Sequence, residues 1–185
     1  MTDVLARLAT LEVVPSRTAR RAILVTAFAI LTALGAHLAV PLPGGVPVTM
    51  QTLFVTLAGA VLGPYLGAAS QAVYLIAGIA GMPVFAMGAG PAYLLGPTGG
   101  YLLSYPLAAA LTGLIAGRAA DAHEMRGIAR IALAMLIASL FILALGAAQL
   151  SLLTADPVRA FRIGVLPFLV GDLLKVALGA LIAHR

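Results

Sequence analysis

The chain has 185 residues, 62% of them hydrophobic and only 9% charged. Soluble domains carry about 25% charged residues, so this composition excludes a soluble globule and fits one polytopic membrane domain, with room for roughly six spans of about 20 residues. Cysteine is absent, which excludes disulfides, thiolate metal sites and a cysteine nucleophile. The net charge of +5 comes from dispersed arginines at segment ends, a topology signal and not a nucleic-acid surface.

In chain order, residues 1–18 are mixed and are expected on the cytoplasmic side, with a short interfacial helix as one form they could take. Arg17, Arg20 and Arg21 precede a span of full length, which is not the pattern of a cleaved signal peptide. The first span is predicted over 19–40 and ends at the proline- and glycine-rich run 41–47. A second apolar segment, 49–63, is short for a span and closes at Gly63-Pro64, and a third covers 65–81. A Gly/Pro/aromatic stretch follows over 82–97. The remaining spans are predicted over 98–117, 131–153 and 164–183, separated by a polar loop at 118–130 and a polar link at 154–162. The expected fold is therefore an all-α membrane protein, a compact bundle of six transmembrane helices with Gly/Pro-rich outer loops.

Orientation follows from the arginines. Six crossings put Arg7, Arg17, Arg20, Arg21, Arg118, Arg126, Arg130 and Arg185 on one side, against Arg159 and Arg162 on the other. Positive charge collects on the cytoplasmic side, so both termini are expected there. Irregular backbone at membrane depth is tolerated only where it is buried or lines a cavity. Gly63-Pro64 and the 82–97 stretch are thus candidate cavity walls.

Two charged residues lie inside a long apolar stretch, Asp172 and Lys175, and Lys175 is the only lysine. A charge in hydrocarbon costs at least ~2.5–3.5 kcal/mol and marks a functional candidate. The i, i+3 spacing puts both on one helix face, and a helix beginning near Leu166 or Pro167 would place Asp172 about 10 Å below its outer edge. A carboxylate beside an ammonium suits a neutral polar ligand such as a cyclic urea or an amide, or a zwitterion: the acid accepts from N–H and the ammonium donates to oxygen. A structural intrahelical ion pair and a proton relay stay open as alternatives.

Thr49, Gln51 and Thr52 open the second segment, and Thr98 opens the fourth span; all could be simple helix caps. Tyr74, Phe85, Tyr93 and Tyr101 are either interfacial belt aromatics or the walls of an apolar pocket near the outer loops. His37 has no second ligand at useful spacing, so no metal site is expected. No Gly-x-x-x-x-Gly-Lys-Ser/Thr loop is present, and Ser70 and Ser104 have no general base nearby in sequence. Catalysis is therefore not expected, and no cofactor is called for. Small residues recur along the first span at Ala22, Thr26, Ala29 and Ala33, a pattern that allows close helix approach.

Four runs stand out: Val46-Pro47-Val48-Thr49-Met50-Gln51-Thr52-Leu53, Gly81-Met82-Pro83-Val84-Phe85-Ala86, Gly96-Pro97-Thr98-Gly99-Gly100-Tyr101-Leu102 and Gly171-Asp172-Leu173-Leu174-Lys175. Together they resemble the BioY family, the biotin-specific substrate-binding (S) components of energy-coupling-factor (ECF) transporters. The glycine-rich stretch at 87–93 and Ser104-Tyr105, where a Gly-Phe pair is common, depart from the pattern. The resemblance implies a six-helix protein of a prokaryotic cytoplasmic membrane that captures biotin from outside. Its implied partners are a transmembrane coupling protein and two cytoplasmic ATPases. It implies a biotin pocket formed by Asp172 and Lys175 and covered by the first outer loop, 41–51. With it come Thr49, Gln51, Tyr74, Phe85, Tyr93, Thr98, Gly99 and Tyr101 as candidate binding residues. Backbone N–H groups near Gly99 and Gly100, or Lys175 itself, are the candidates for biotin's carboxylate. An Ala-x-x-x-Ala face, best matched by Ala29 and Ala33, is implied to meet the coupling protein. An S component for another vitamin, a stand-alone proton-coupled carrier and a membrane enzyme are the competing readings.

Overall fold

The computed structural model describes residues 16–43, 45–117 and 125–184. Most of the segment 1–18, where an interfacial helix is one expected form, and most of the 118–130 loop lie outside the described residues.

Helix α1 (Arg17–His37) starts at Ser16, whose hydroxyl accepts a hydrogen bond from the Ala19 amide at 3.2 Å. Its buried face is Phe28, Ala29, Thr32, Gly35 and Ala36, a helical period that turns small residues toward the bundle. The helix stops three residues before the predicted end. Val40 precedes Pro41, and a residue before proline is driven to extended backbone. Ala39–Val40 (β1) instead pairs antiparallel with Val48–Thr49 (β2), Ala39 opposite Thr49. The proline-rich loop is thereby closed into a small hairpin.

Helix α2 (Gln51–Ile79) is two limbs joined at Gly63, whose φ of 79° and ψ of 178° are not helical. Only glycine adopts that conformation without strain, and Pro64 then fixes φ for the next helical turn. The chain reverses here. A Cβ on Gly67 would lie 2.8 Å from the Gly59 Cα, whereas eight residues of unbroken helix span about 12 Å. The two limbs are antiparallel, so Gln51 and Tyr74 come within hydrogen-bond distance at 2.6 Å.

Gly81, with φ of 97°, ends the second limb and opens the loop at 82–97. This loop contains a 3₁₀ turn, Pro91–Leu95, and is tied down from the side: Gln149 Nε2 donates to the carbonyls of Leu94 (3.0 Å) and Gly96 (2.7 Å). Helix α3 (Gly99–Ala116) follows, then α4 (Met125–Thr154), which begins six residues earlier than predicted. The expected polar link at 154–162 is instead mostly a short helix, α5 (Pro157–Gly164). Asp156 caps it by accepting from the Arg159 amide at 3.0 Å, and Pro157 occupies the first turn. Helix α6 (Leu166–Ala183) completes the bundle. The corner between α5 and α6 is held by Tyr101, whose hydroxyl donates to the Gly164 carbonyl at 2.7 Å.

Close packing depends on glycine. A side chain at Gly59 would strike the Ala109 carbonyl of α3, and one at Gly113 would strike the Gly63–Pro64 backbone. One apolar cluster includes Tyr74, Phe85, Tyr101, Tyr105 and Phe168; a second includes Leu53, Ile131, Met135 and Val176. The exterior is apolar too, with Ile23, Ile30, Leu107, Leu140, Val170 and Leu174 all exposed, as expected where the solvent is lipid. By length and composition, five segments are able to cross a membrane: 17–37, 51–79, 99–116, 127–154 and 157–183. The second contains both limbs of α2.

Candidate functional site

Asp172 and Lys175 lie on α6 three residues apart, and the helix brings them together: Lys175 Nζ is 2.9 Å from Asp172 Oδ1. Asp172 is 4% exposed and Lys175 8%, so neither charge is presented to lipid. Thr52, in the first turn of α2, closes a triangle with them. Its hydroxyl donates to Asp172 Oδ1 at 3.1 Å and accepts from Lys175 Nζ at 3.0 Å.

The triangle leaves specific bonding capacity unused. Asp172 Oδ1 receives both hydrogen bonds, while Oδ2 is buried and is the sole sealed side-chain polar atom without a partner among the described residues. An unpaired buried carboxylate oxygen is costly. The ammonium has three N–H groups, of which two are engaged. One acceptor and one donor therefore remain side by side.

Both charges border a cavity of about 510 Å³, its open mouth included. Val46, Pro47 and Thr49 of the hairpin line it, as do Ala86, Tyr93 and Thr98. Helices contribute Gln51 and Thr52 (α2), Tyr101, Leu102 and Tyr105 (α3), Ile142 and Leu143 (α4), and Phe168, Asp172 and Lys175 (α6). The lining is chiefly apolar and aromatic, with its charges held by one helix.

Of the residues singled out in the sequence, Asp172, Lys175, Thr49, Gln51, Tyr93, Thr98 and Tyr101 line this cavity. Tyr74, Phe85 and Gly99 do not; they form the layer behind it. Gln51 Nε2 donates to the Tyr74 hydroxyl at 2.6 Å, which in turn donates to the Val84 carbonyl at 3.2 Å. Phe85 stacks on Tyr93, centroids 5.1 Å apart, and meets Tyr74 edge-on at 5.6 Å. Tyr74 and Phe85 thus brace Gln51 and Tyr93. The Gly99 amide already donates to the Gly96 carbonyl at 3.2 Å, so it is engaged and not open to an anion. Thr49 does act in the helix start, its hydroxyl accepting from the Gln51 amide at 3.3 Å, and it also donates to Gln51 Oε1 at 3.0 Å. Thr98 makes no side-chain capping bond. Ala29 is buried in the bundle core and Ala33 packs against the same cluster. The small face of α1 is therefore used inside the protomer, and Ile23, Ile30 and Leu34 form its outer side.

Thr52, Tyr105, Leu102 and Phe168 were not picked as site residues from the sequence. Some had a signal. Thr98, Tyr101, Leu102 and Tyr105 follow the i, i+3, i+4, i+7 pattern of one helix face, as do Phe168, Asp172 and Lys175 at i, i+4, i+7. Ile142 and Leu143 of α4 had none, being two apolar residues in an apolar run.

A model of the BioY family matches residues 7–185. A probable biotin transporter BioY of Pyrococcus horikoshii is 40% identical over 168 residues, covering 90% of this chain and 96% of that protein. A biotin transporter BioY of Thermotoga maritima is 39% identical over 161 residues, covering 85% and 90%. A crystal structure of the S component for biotin from an ECF-type ABC transporter superposes with a TM-score of 0.78 at 25% identity, covering 91% of each chain.

Proposed function

The chain belongs to the BioY family, and from that premise we propose that it captures biotin and takes it up as the substrate-binding S component of an ECF-type ABC transporter. The observation that carries the reading is the unpartnered Asp172 Oδ2 beside the Lys175 ammonium on a cavity wall. Biotin's ureido head has two N–H donors and one carbonyl oxygen. Its N–H meets Oδ2, its oxygen meets the remaining N–H of Lys175, and each side satisfies the other's unused group. The apolar bicycle fits between Tyr93, Tyr101, Leu102, Ile142 and Phe168.

The ion pair on its own offers little stability over apolar residues of the same volume. Gripping a polar head group gives a reason to keep it in a membrane interior. Six crossings follow if the two limbs of α2 are counted separately. The arginine distribution then puts both termini on the cytoplasmic side and the cavity mouth outside. Val46 and Pro47 of the first loop close over the cavity from that side. Transport is driven by partners, a transmembrane coupling protein and two cytoplasmic ATPases, and this chain performs no chemistry.

The test is binding of labelled biotin to the purified protein in lipid nanodiscs, competed with unlabelled biotin, thiamine and riboflavin. Saturable binding displaced by biotin alone is expected. Displacement by thiamine or riboflavin would make it an S component for another vitamin, and an absence of saturable binding would remove the reading.

A further inference from the structure

Tyr105 has no role in the fold or in the grip described so far that needs its hydroxyl. It is 3% exposed, lines the cavity, and stacks its ring on Tyr74 with centroids 6.3 Å apart. The ring accounts for the packing. The hydroxyl forms no hydrogen bond with any described residue, unlike Tyr101 and Tyr74, whose hydroxyls are both engaged. Asp172 Oδ2 is the sole sealed unpaired side-chain atom among the described residues, so this hydroxyl is reachable from the cavity that Tyr105 lines, and tyrosine is normally placed in an apolar wall where its O–H can reach a partner.

Its depth identifies that partner. Tyr105 lies six residues into α3 and Asp172 six residues into α6. Tyr101, in the first turn of α3, is tied to Gly164, two residues before α6 begins, so the two helices start at about the same level. At 1.5 Å per residue both side chains leave their helices about 9 Å further in. The hydroxyl therefore belongs to the charged end of the cavity and not to its mouth. Asp172 Oδ2 already suits a ligand N–H, whereas a carbonyl oxygen has two lone pairs and Lys175 has one N–H left for it.

We propose that Tyr105 is a further specificity-determining residue, donating a hydrogen bond to the urea oxygen of the ligand alongside Lys175. This rests on the cyclic-urea reading of the site. With two donors on the oxygen and a carboxylate on the N–H, the cavity end is complementary to a urea and poorly matched to a head group lacking that acceptor.

The experiment compares Tyr105→Phe with the parent protein in nanodiscs, against biotin and against the analogue in which sulfur replaces the ureido oxygen. Sulfur is a weak acceptor, so it has little to lose. Tyr105→Phe is expected to bind biotin about five- to tenfold more weakly, the value of one net hydrogen bond. Its affinity for the thio analogue is expected to stay within about twofold of the parent's. Because the ring stack is kept, the ligand-free melting temperature is expected to be no lower than the parent's. Unchanged biotin affinity, or equal losses for both ligands, would overturn the proposal. Asp172→Asn measured in parallel separates the two ideas: if it too binds biotin normally, the urea reading of the site fails; if it alone loses binding, only the role of Tyr105 does.

Discussion

Replacing Asp172 by asparagine changes one atom at the centre of the site. The side chain keeps its shape, but it cannot satisfy both sides. If its carbonyl oxygen takes the Oδ1 position, Lys175 and Thr52 keep their acceptor, and an NH₂ group then faces the ligand's N–H, donor against donor. If the amide is turned over, the NH₂ faces the Lys175 ammonium at the position where Oδ1 is now 2.9 Å away. In either orientation a charge-assisted hydrogen bond is lost. Such a bond contributes about 1.5–3 kcal/mol, so the dissociation constant for biotin should rise by about 10- to 150-fold. The measurement is equilibrium binding of labelled biotin to purified protein in nanodiscs. A monodisperse elution profile on gel filtration verifies that the variant is folded. A dissociation constant within about threefold of the parent's in a folded variant would refute the assignment of Oδ2 to a ligand N–H.

Further expectations follow from the same geometry. Lys175→Met leaves a buried carboxylate uncompensated and should destabilise the fold by about 3–5 kcal/mol; adding Asp172→Asn should recover most of that loss in a thermal melt without restoring biotin binding. Gln149→Leu removes both hydrogen bonds that tie the 82–97 loop to α4, about 1–3 kcal/mol together, and should speed biotin release at least about fivefold in a dissociation chase. Gly59→Val forces a side chain into the Ala109 carbonyl of α3 and should sharply lower the yield of folded protein in membranes, whereas Gly171→Ala, where nothing lies within 4 Å, should be tolerated.

Hydropathy alone was enough to read the membrane class and the positions of most helices, because a span must be apolar along its whole length wherever it packs. Local chemistry also located the break at Gly63-Pro64, the end of α1 before Pro41 and the shared face of Asp172 and Lys175. Each depends on φ/ψ preferences or on spacing within one helix, which a short window of residues carries. The same logic failed at 154–162. Arg159 and Arg162 read as a loop, yet with Ala160 and Gly164 turned inward the segment is an amphipathic helix lying under Asp156. Charge there marked one exposed face of a helix and not an absence of structure.

What the sequence by itself determined is that a lone acid and a lone amine share one face of the last span; of its two candidate cavity walls, the 82–97 stretch lines the cavity through Ala86 and Tyr93, whereas Gly63-Pro64 is the chain reversal packed against Gly113 and does not. Tertiary packing decided the rest. Thr52 joins the charged pair across 120 residues, Tyr74 and Phe85 fall behind the cavity wall, and Tyr105 lines the same cavity as Asp172. Ala29 is turned into the core. Helical periodicity fixes which residues of one helix look the same way; it carries no information about what they face. That depends on how closely neighbouring backbones approach, which here is set by glycines 59, 67 and 113 and by the reversal at Gly63.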